Sequence, residues 1–276
     1  MTTQRQVTQR SYRDFLNRAA VFSLGDLAEV TGGANTHARA RERVKYYLAT
    51  GRVRRIAREL YAVVPPGADP RRFQPDPFLV AATLRADAVF SHHGALELLG
   101  AAHSDWNVCT AYTGRSRSTL RLGTTTLRLL HPPGALAPRD WSRLAVREAH
   151  HLGRTLRVTS PERTLVEGFR QPQLAGGLPE LVESASGFAS LDVPLLARVL
   201  EAYDQRSLWA ATGWFLERFA RTFHVTEAQL ARFESHRPRS PQYLPRRMRG
   251  GVFLPRWNLV LPAPVVRGGE RDDAGP

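Results

Sequence analysis

A single cysteine, a single lysine and the lack of any long apolar run set the first limits on this chain. Cys109 stands alone, so no disulfide can form within the chain, which suits a reducing cytosol. No uninterrupted apolar stretch approaches the roughly 20 residues that a membrane span needs. The N-terminal "MTTQRQVTQR" has no apolar core, so a signal peptide is not expected. These features predict a cytoplasmic protein with no membrane partner. Acidic residues are also scarce: 25 Asp and Glu face 39 Lys and Arg, a formal charge of +14.

Several catalytic signatures are missing. There is no His-Glu-x-x-His, no glycine-rich phosphate loop, no Gly-x-Ser-x-Gly elbow and no Cys-x-x-Cys. A common nuclease core sets a lysine beside acidic metal ligands, yet Lys45 lies far from the C-terminal half. His93 and Glu97 are i, i+4 neighbours in "SHHGALE", a spacing that a metal pair would use. The simpler reading is that Ser91 caps a helix and the histidines make ordinary hydrogen bonds. Cys109 on a short apolar strand reads as buried and inert. No catalytic residue, metal or cofactor is expected.

What the chain has in excess is arginine. GC-rich coding favours Arg, but Asp and Glu have GC-rich codons too, so the surplus needs a physical reason. A strong positive field attracts polyanions and speeds their encounter. Nucleic acid is the first candidate partner and an acidic protein the second. The charge is densest in residues 37–64, "HARARERVKYYLATGRVRRIARELYAVV", where eight residues are Lys or Arg and two, Glu42 and Glu59, are acidic.

Periodicity organises this region. "SYRDFLNRAAVF" has Tyr12, Phe15, Leu16 and Ala19 at helical spacing. "SLGDLAEV" is a short helix that Ser23 caps, with Leu24, Leu27, Ala28 and Val30 inward. "TGGAN" breaks the pattern. Thr36–Ala49 is the next helix, capped by Asn35 or Thr36, with Ala40, Val44, Tyr47 and Leu48 as its inner stripe. Gly51 ends it, and "RVRRI" and "LYAVV" form a hairpin around "ARE". The order helix, helix, glycine turn, basic helix, basic hairpin is that of a winged helix-turn-helix. Asn35, Thr36, His37 and Arg39 lie where a recognition helix reads base edges. Arg41, Arg43 and Lys45 extend its basic arc, and Glu42 suits a cytosine amine or a pair with Arg39. On the hairpin, Arg52, Arg54, Arg55 and Arg58 suit phosphates or a minor groove. The expected partner is double-stranded DNA.

The expected fold class is α+β. A winged helix-turn-helix domain (1–64) and a Pro-rich linker (65–76) precede a larger C-terminal α+β domain (77–262). That domain combines a small, mostly antiparallel sheet with a helical part, and a disordered tail (263–276) follows. "WNVCTAY", "STLRLG", "TTTLRLLH", "LAVREAH" and "TLRVT" read as strands. "SPERTLVEGF" opens a run of helices, with Ser160 as cap and Pro161 in the first turn. The segment "RPRSPQYLPRRMRGGVFLPRWN" interleaves aromatics with arginine, a composition favoured at interface centres. Arg246, Arg247, Arg249, Arg256 and Trp257 are therefore candidates for partner binding, unless the segment packs on its own domain.

Four segments carry a family likeness: "FSLGDLAEVTG" with the basic helix and "LYAV", then "DPFLVAATLRADAVFSHHGALELLG", "RVTSPERTLVEGF" and "RWNLVLP". In these the chain resembles AbiEi-type antitoxins of type IV toxin–antitoxin systems. The resemblance implies an N-terminal winged helix that binds inverted repeats at its own promoter and represses the operon. It also implies a C-terminal domain that antagonises a cognate nucleotidyltransferase toxin. Relatives often carry a glycine in the wing turn before the "LY" pair, where this chain has Ala57, Arg58 and Glu59. Two alternatives are a winged-helix regulator whose C-terminal domain senses a ligand or protein, and a DNA-processing enzyme.

Overall fold

The computed structural model describes residues 12–30, 35–137, 140–246 and 248–268. The chain is α+β and divides into two compact units, positions 1–88 with 118–127 and positions 89–117 with 128–276.

In the first unit, helix α1 (12–18) buries Tyr12 and Leu16, one turn apart. The chain then extends into β1 (Val21–Ser23), so the helical reading of "SYRDFLNRAAVF" stops short. Val21 and Phe22 fit either periodicity locally, but pairing with β3 (Leu60–Val63) selects the strand: Val21 faces Ala62 and Phe22 faces Tyr61. Helix α2 (Leu24–Glu29) opens with a capping box. The Asp26 amide donates to Ser23 Oγ at 3.1 Å, and the Ser23 amide donates to Asp26 Oδ2 at 2.8 Å, which satisfies two amides that a helix start leaves orphaned.

Helix α3 (Thr36–Ala49) buries Ala40, Val44 and Tyr47. Leu48, expected inside, is 38% exposed. A residue advances about 100° around a helix, so a stripe centred on those three puts Leu48 at its margin. Gly51, at φ +68°, ends the helix in the left-handed conformation that a side chain disfavours. Strand β2 (Val53–Ala57) pairs antiparallel with β3 through a bulge between Arg55 and Ala57. Ala57 belongs to the strand, which leaves Arg58 and Glu59 as the turn. Glu59 takes φ +56°, a left-handed conformation that side chains disfavour.

The Pro-rich interval 65–76 is fastened rather than loose. Arg54 Nη1 donates to the Phe73 carbonyl at 2.5 Å. Gln74 Oε1 accepts from Thr124 Oγ1 at 3.0 Å, and Asp76 caps α4 (Pro77–Leu84), which groups with this unit.

The second unit begins with β4 (Val89–Ser91) and α5 (His92–Leu98). It goes on with β5 (Val108–Tyr112), the end of β7 (Thr125–Leu130), β8 (Val146–His151) and β9 (Arg154–Thr159), whereas β6 (Ser118–Leu122) and the start of β7 group with the first unit. Within this unit the sheet order is β7-β5-β4-β9-β8. Strand β4 pairs parallel with β9 and antiparallel with β5.

Helices α6 (Pro161–Arg170), α7 (Leu178–Ser186), α8 (Val193–Tyr203), α9 (Arg206–Arg218) and α10 (Glu227–Ser235) form the helical part. From Glu162 to Phe169 every residue of α6 is buried. A helix apolar on only one face cannot occupy such a place without partners for its polar groups. Ser160 supplies one: instead of capping, its hydroxyl donates to Glu162 at 2.6 Å. Ser91, too, makes no cap bond, and its hydroxyl lies 3.0 Å from His92 Nδ1.

Three strands close the unit: β10 (Gln242–Tyr243), β11 (Val252–Leu254) and β12 (Leu259–Leu261), with β12 between the other two. Trp257 presses its indole on α9 at Gly213, where any side chain would collide with it. The C-terminal segment read as disordered from 263 starts with a short helix, α11 (Ala263–Arg267), because Val265 finds a buried seat. Residues 269–276 lie outside the described residues.

Candidate nucleic-acid interface

The basic side chains of the first unit divide into those the fold holds and those it leaves outward. Arg43 is half-buried, with its guanidinium 5.1 Å from the Tyr12 ring centre and 5.9 Å from that of Tyr47. Arg54 is also half-buried and clamps the Phe73 carbonyl. These two, expected at the DNA, serve the fold instead, because each finds an aromatic or carbonyl partner within reach. Thr36 is half-buried. Asn35 is exposed and begins α3 at φ +59° without a side-chain cap bond.

His37, Arg39, Arg41 and Lys45 on α3 and Arg52, Arg55 and Arg58 on the hairpin are exposed. Several hold weak local partners. Arg41 pairs with Glu59 at 3.4 Å, which links mid-α3 to the hairpin turn. Lys45 pairs with Glu42 at 2.6 Å, so Glu42 serves Lys45 rather than Arg39. Arg55 Nε donates to the Ala57 carbonyl at 3.3 Å, and Arg52 lies 5.6 Å from the Tyr47 ring centre. Exposed ion pairs are worth about 0–1 kcal/mol, so a phosphate displaces such partners readily. Burial raises the Tyr47 hydroxyl pKa against the pull of Arg43 and Arg52, so the ring stays neutral beneath the two cations. Tyr46, 56% exposed among these cations, was not among the expected contacts. Its outward position follows from the same wheel that turns Ala40 and Val44 inward.

The expected partner contacts of the second unit also separate. Arg246 and Arg249 are exposed, and Arg247 lies outside the described residues. Arg256 and Trp257 turn inward. Arg256 bonds Glu217 at 2.8 Å, Glu234 at 3.0 Å and also Glu227, while Trp257, 1% exposed, donates to Glu217 at 2.6 Å. Three carboxylates and an apolar seat outcompete solvent for this pair, so neither is a contact surface.

The remaining titratable cluster is internal. His93 is buried between Glu97 (2.9 Å) and Glu180 (3.3 Å). Burial would raise the Glu180 pKa, but hydrogen bonds from Ser104 and Ser184 outweigh it and hold it below its ordinary value. Among the described residues no group of three or more His, Cys, Asp or Glu is arranged to hold a metal. Cys109 is buried on β5.

His92 is fully buried, and that burial pulls its pKa down to about 4, with Arg170 and Arg163 adding to the effect and Glu167 opposing it. The unfolded chain therefore takes up this proton near the ordinary value of about 6.5, while the folded chain resists until about 4. Stability present above pH 6.5 is lost as pH falls toward 4, by about 3 kcal/mol for this group. All five tryptophans lie in the second unit, so urea unfolding followed by their fluorescence reports that unit alone. The wild type is expected to lose about 3 kcal/mol more than His92→Asn between pH 7 and pH 4; parallel pH profiles would remove the assignment. Asparagine suits the left-handed φ of +53° at this position.

No protein-family model matches the chain, and no curated protein matches its sequence. Its α+β fold is similar to the crystal structure of RV2827C protein from Mycobacterium tuberculosis. The TM-score is 0.61 and the identity 17%, over 97% of this chain and 94% of that one. Among the described residues no helix is long and apolar enough to cross a membrane.

Proposed function

We propose that the chain is a non-catalytic antitoxin that also represses its own operon, with the first unit acting as a winged helix-turn-helix. The observation that carries this reading is the outward set of Arg39, Arg41, Lys45, Arg52, Arg55 and Arg58 on α3 and the adjoining hairpin. Phosphate contacts of this kind fix register on a duplex, and side chains near the start of α3, Asn35, His37 and Arg39, read base edges. The cytoplasm is its place of action and double-stranded DNA at its own promoter its first partner. The second partner, a cognate nucleotidyltransferase toxin, rests on the family resemblance of "SHHGALELLG", "SPERTLVEGF" and "RWNLVLP".

One experiment with two readouts tests both halves. A reporter driven by the region upstream of the gene is expected to fall when the chain is expressed, and a nucleotidyltransferase gene is expected beside it, whose induction arrests growth unless the chain is co-expressed. An unrepressed reporter removes the repressor half, and growth arrest despite expression removes the antitoxin half.

A further inference from the structure

The outer surface of the second unit's last sheet carries two exposed rings. Tyr243 on β10 and Phe253 on β11 are both in register with Val260 of β12. Residues in register share a sheet face, with neighbours about 5 Å apart, so the two rings flank Val260 roughly 10 Å from each other. They are 45% and 47% exposed, while Val260 between them is 7% exposed.

Tyr243 also lines a cleft of about 390 Å³ with Gln173, Gln205, Gln242 and Arg246. A second cleft of about 490 Å³ shares Gln205, Gln242 and Arg246 and adds Arg206 and Arg239. The shared walls make the two one groove, and among the described residues no aspartate or glutamate lines either part; an adjoining cleft that shares Arg206 and Arg239 includes Glu234, which Arg237 and Arg256 already pair. Arg239 and Arg246 have no ion-pair partner among the described residues, and Arg206 donates only to the Arg237 carbonyl, at 3.3 Å.

We propose that this groove and the sheet face beside it bind single-stranded nucleic acid, with phosphates on Arg206, Arg239 and Arg246, base edges on the glutamine amides, and bases stacked on Tyr243 in the groove and on Phe253 beyond it. Guanidinium groups with exposed rings form the pairing that single strands use, and stacking tolerates any base. Amides add a donor and an acceptor for base edges. An acidic peptide would use the arginines and amides but brings no planar ring at each residue to stack on Tyr243 and Phe253. The proposal is independent of the duplex-binding reading, which concerns the first unit.

The test uses the full-length chain and fluorescence anisotropy with labelled oligouridine of about 12 nucleotides, within the range of single-strand site sizes. The upstream duplex and a polyglutamate peptide are run beside it. Tyr243→Ala and Phe253→Ala are each expected to weaken oligouridine binding about tenfold, Arg239→Gln with Arg246→Gln more steeply, and Tyr243→Trp to preserve it. Duplex binding should be unchanged in all of them. An Arg39→Ala/Arg58→Ala variant should do the reverse, so failure of either reading shows without the other. Oligouridine affinity unaffected by the groove variants overturns the proposal. So does groove-dependent binding of polyglutamate in place of oligouridine, or equal loss of duplex and single strand.

Discussion

Glu167→Gln lowers the stability of the second unit by about 3–5 kcal/mol, the usual consequence of leaving one member of a buried ion pair alone. Arg163 and Glu167 stand one turn apart on α6, and both side chains are fully buried. Arg163 Nε donates to Glu167 Oε1 at 2.7 Å, and the same oxygen accepts from the Tyr203 hydroxyl at 2.6 Å. Arg163 Nη1 reaches the carbonyls of Trp141 (2.5 Å) and Leu144 (2.9 Å). Burial opposes the arginine's charge, but the charge and hydrogen bond of Glu167 more than compensate and its pKa is raised. Burial and Glu167 together push the Tyr112 and Tyr203 hydroxyls far above their ordinary values, so both remain neutral. In Glu167→Gln the cation keeps its two carbonyls and loses its counter-charge. Urea unfolding followed by tryptophan fluorescence measures the loss. Arg163→Met/Glu167→Leu removes both charges and is expected to be less damaging than Glu167→Gln, because no lone ion remains. A loss under about 1 kcal/mol in Glu167→Gln would show that the pair contributes no more than a surface contact.

Arg39→Ala/Arg55→Ala/Arg58→Ala weakens binding to the upstream duplex about a hundredfold at low salt. It also reduces the slope of log affinity against log salt by about two, one for each hairpin phosphate contact removed at Arg55 and Arg58. The wild type should itself lose on the order of 10³-fold in affinity between about 50 and 200 mM salt. All three arginines are exposed, so thermal stability should hardly change. Arg54→Ala separates the two roles: its guanidinium holds the Phe73 carbonyl, so it should lower the unfolding midpoint and leave the salt slope in place. A triple variant with wild-type affinity and slope would end the assignment of these residues to the duplex.

Much of the fold is written in short-range pattern. Ala40, Val44 and Tyr47 recur at helical spacing, Ser23 and Asp26 are three residues apart, and Gly51 follows the helix it ends. Each signal lies within a few residues of its effect, so order and approximate bounds of α2, α3, the β2–β3 hairpin and α6 to α10 follow from the chain alone. Strands β1 and β4 do not. Each is three residues long, too short to show a period, and exists because partners from residues 60–62, 110–112 and 157–158 complete its hydrogen bonds.

The candidate site divides along the same line. Charge density and the outward face of α3 were properties of the sequence itself, set by a net charge of +14 and a 3.6-residue period. Which arginines remain available was decided only on folding. Arg43 and Arg54 are taken by Tyr12 and Phe73, and Arg256 by carboxylates 22, 29 and 39 residues away. A side chain's partner is chosen by distance in space and by the gain from leaving water, and neither quantity is recorded in the order of residues.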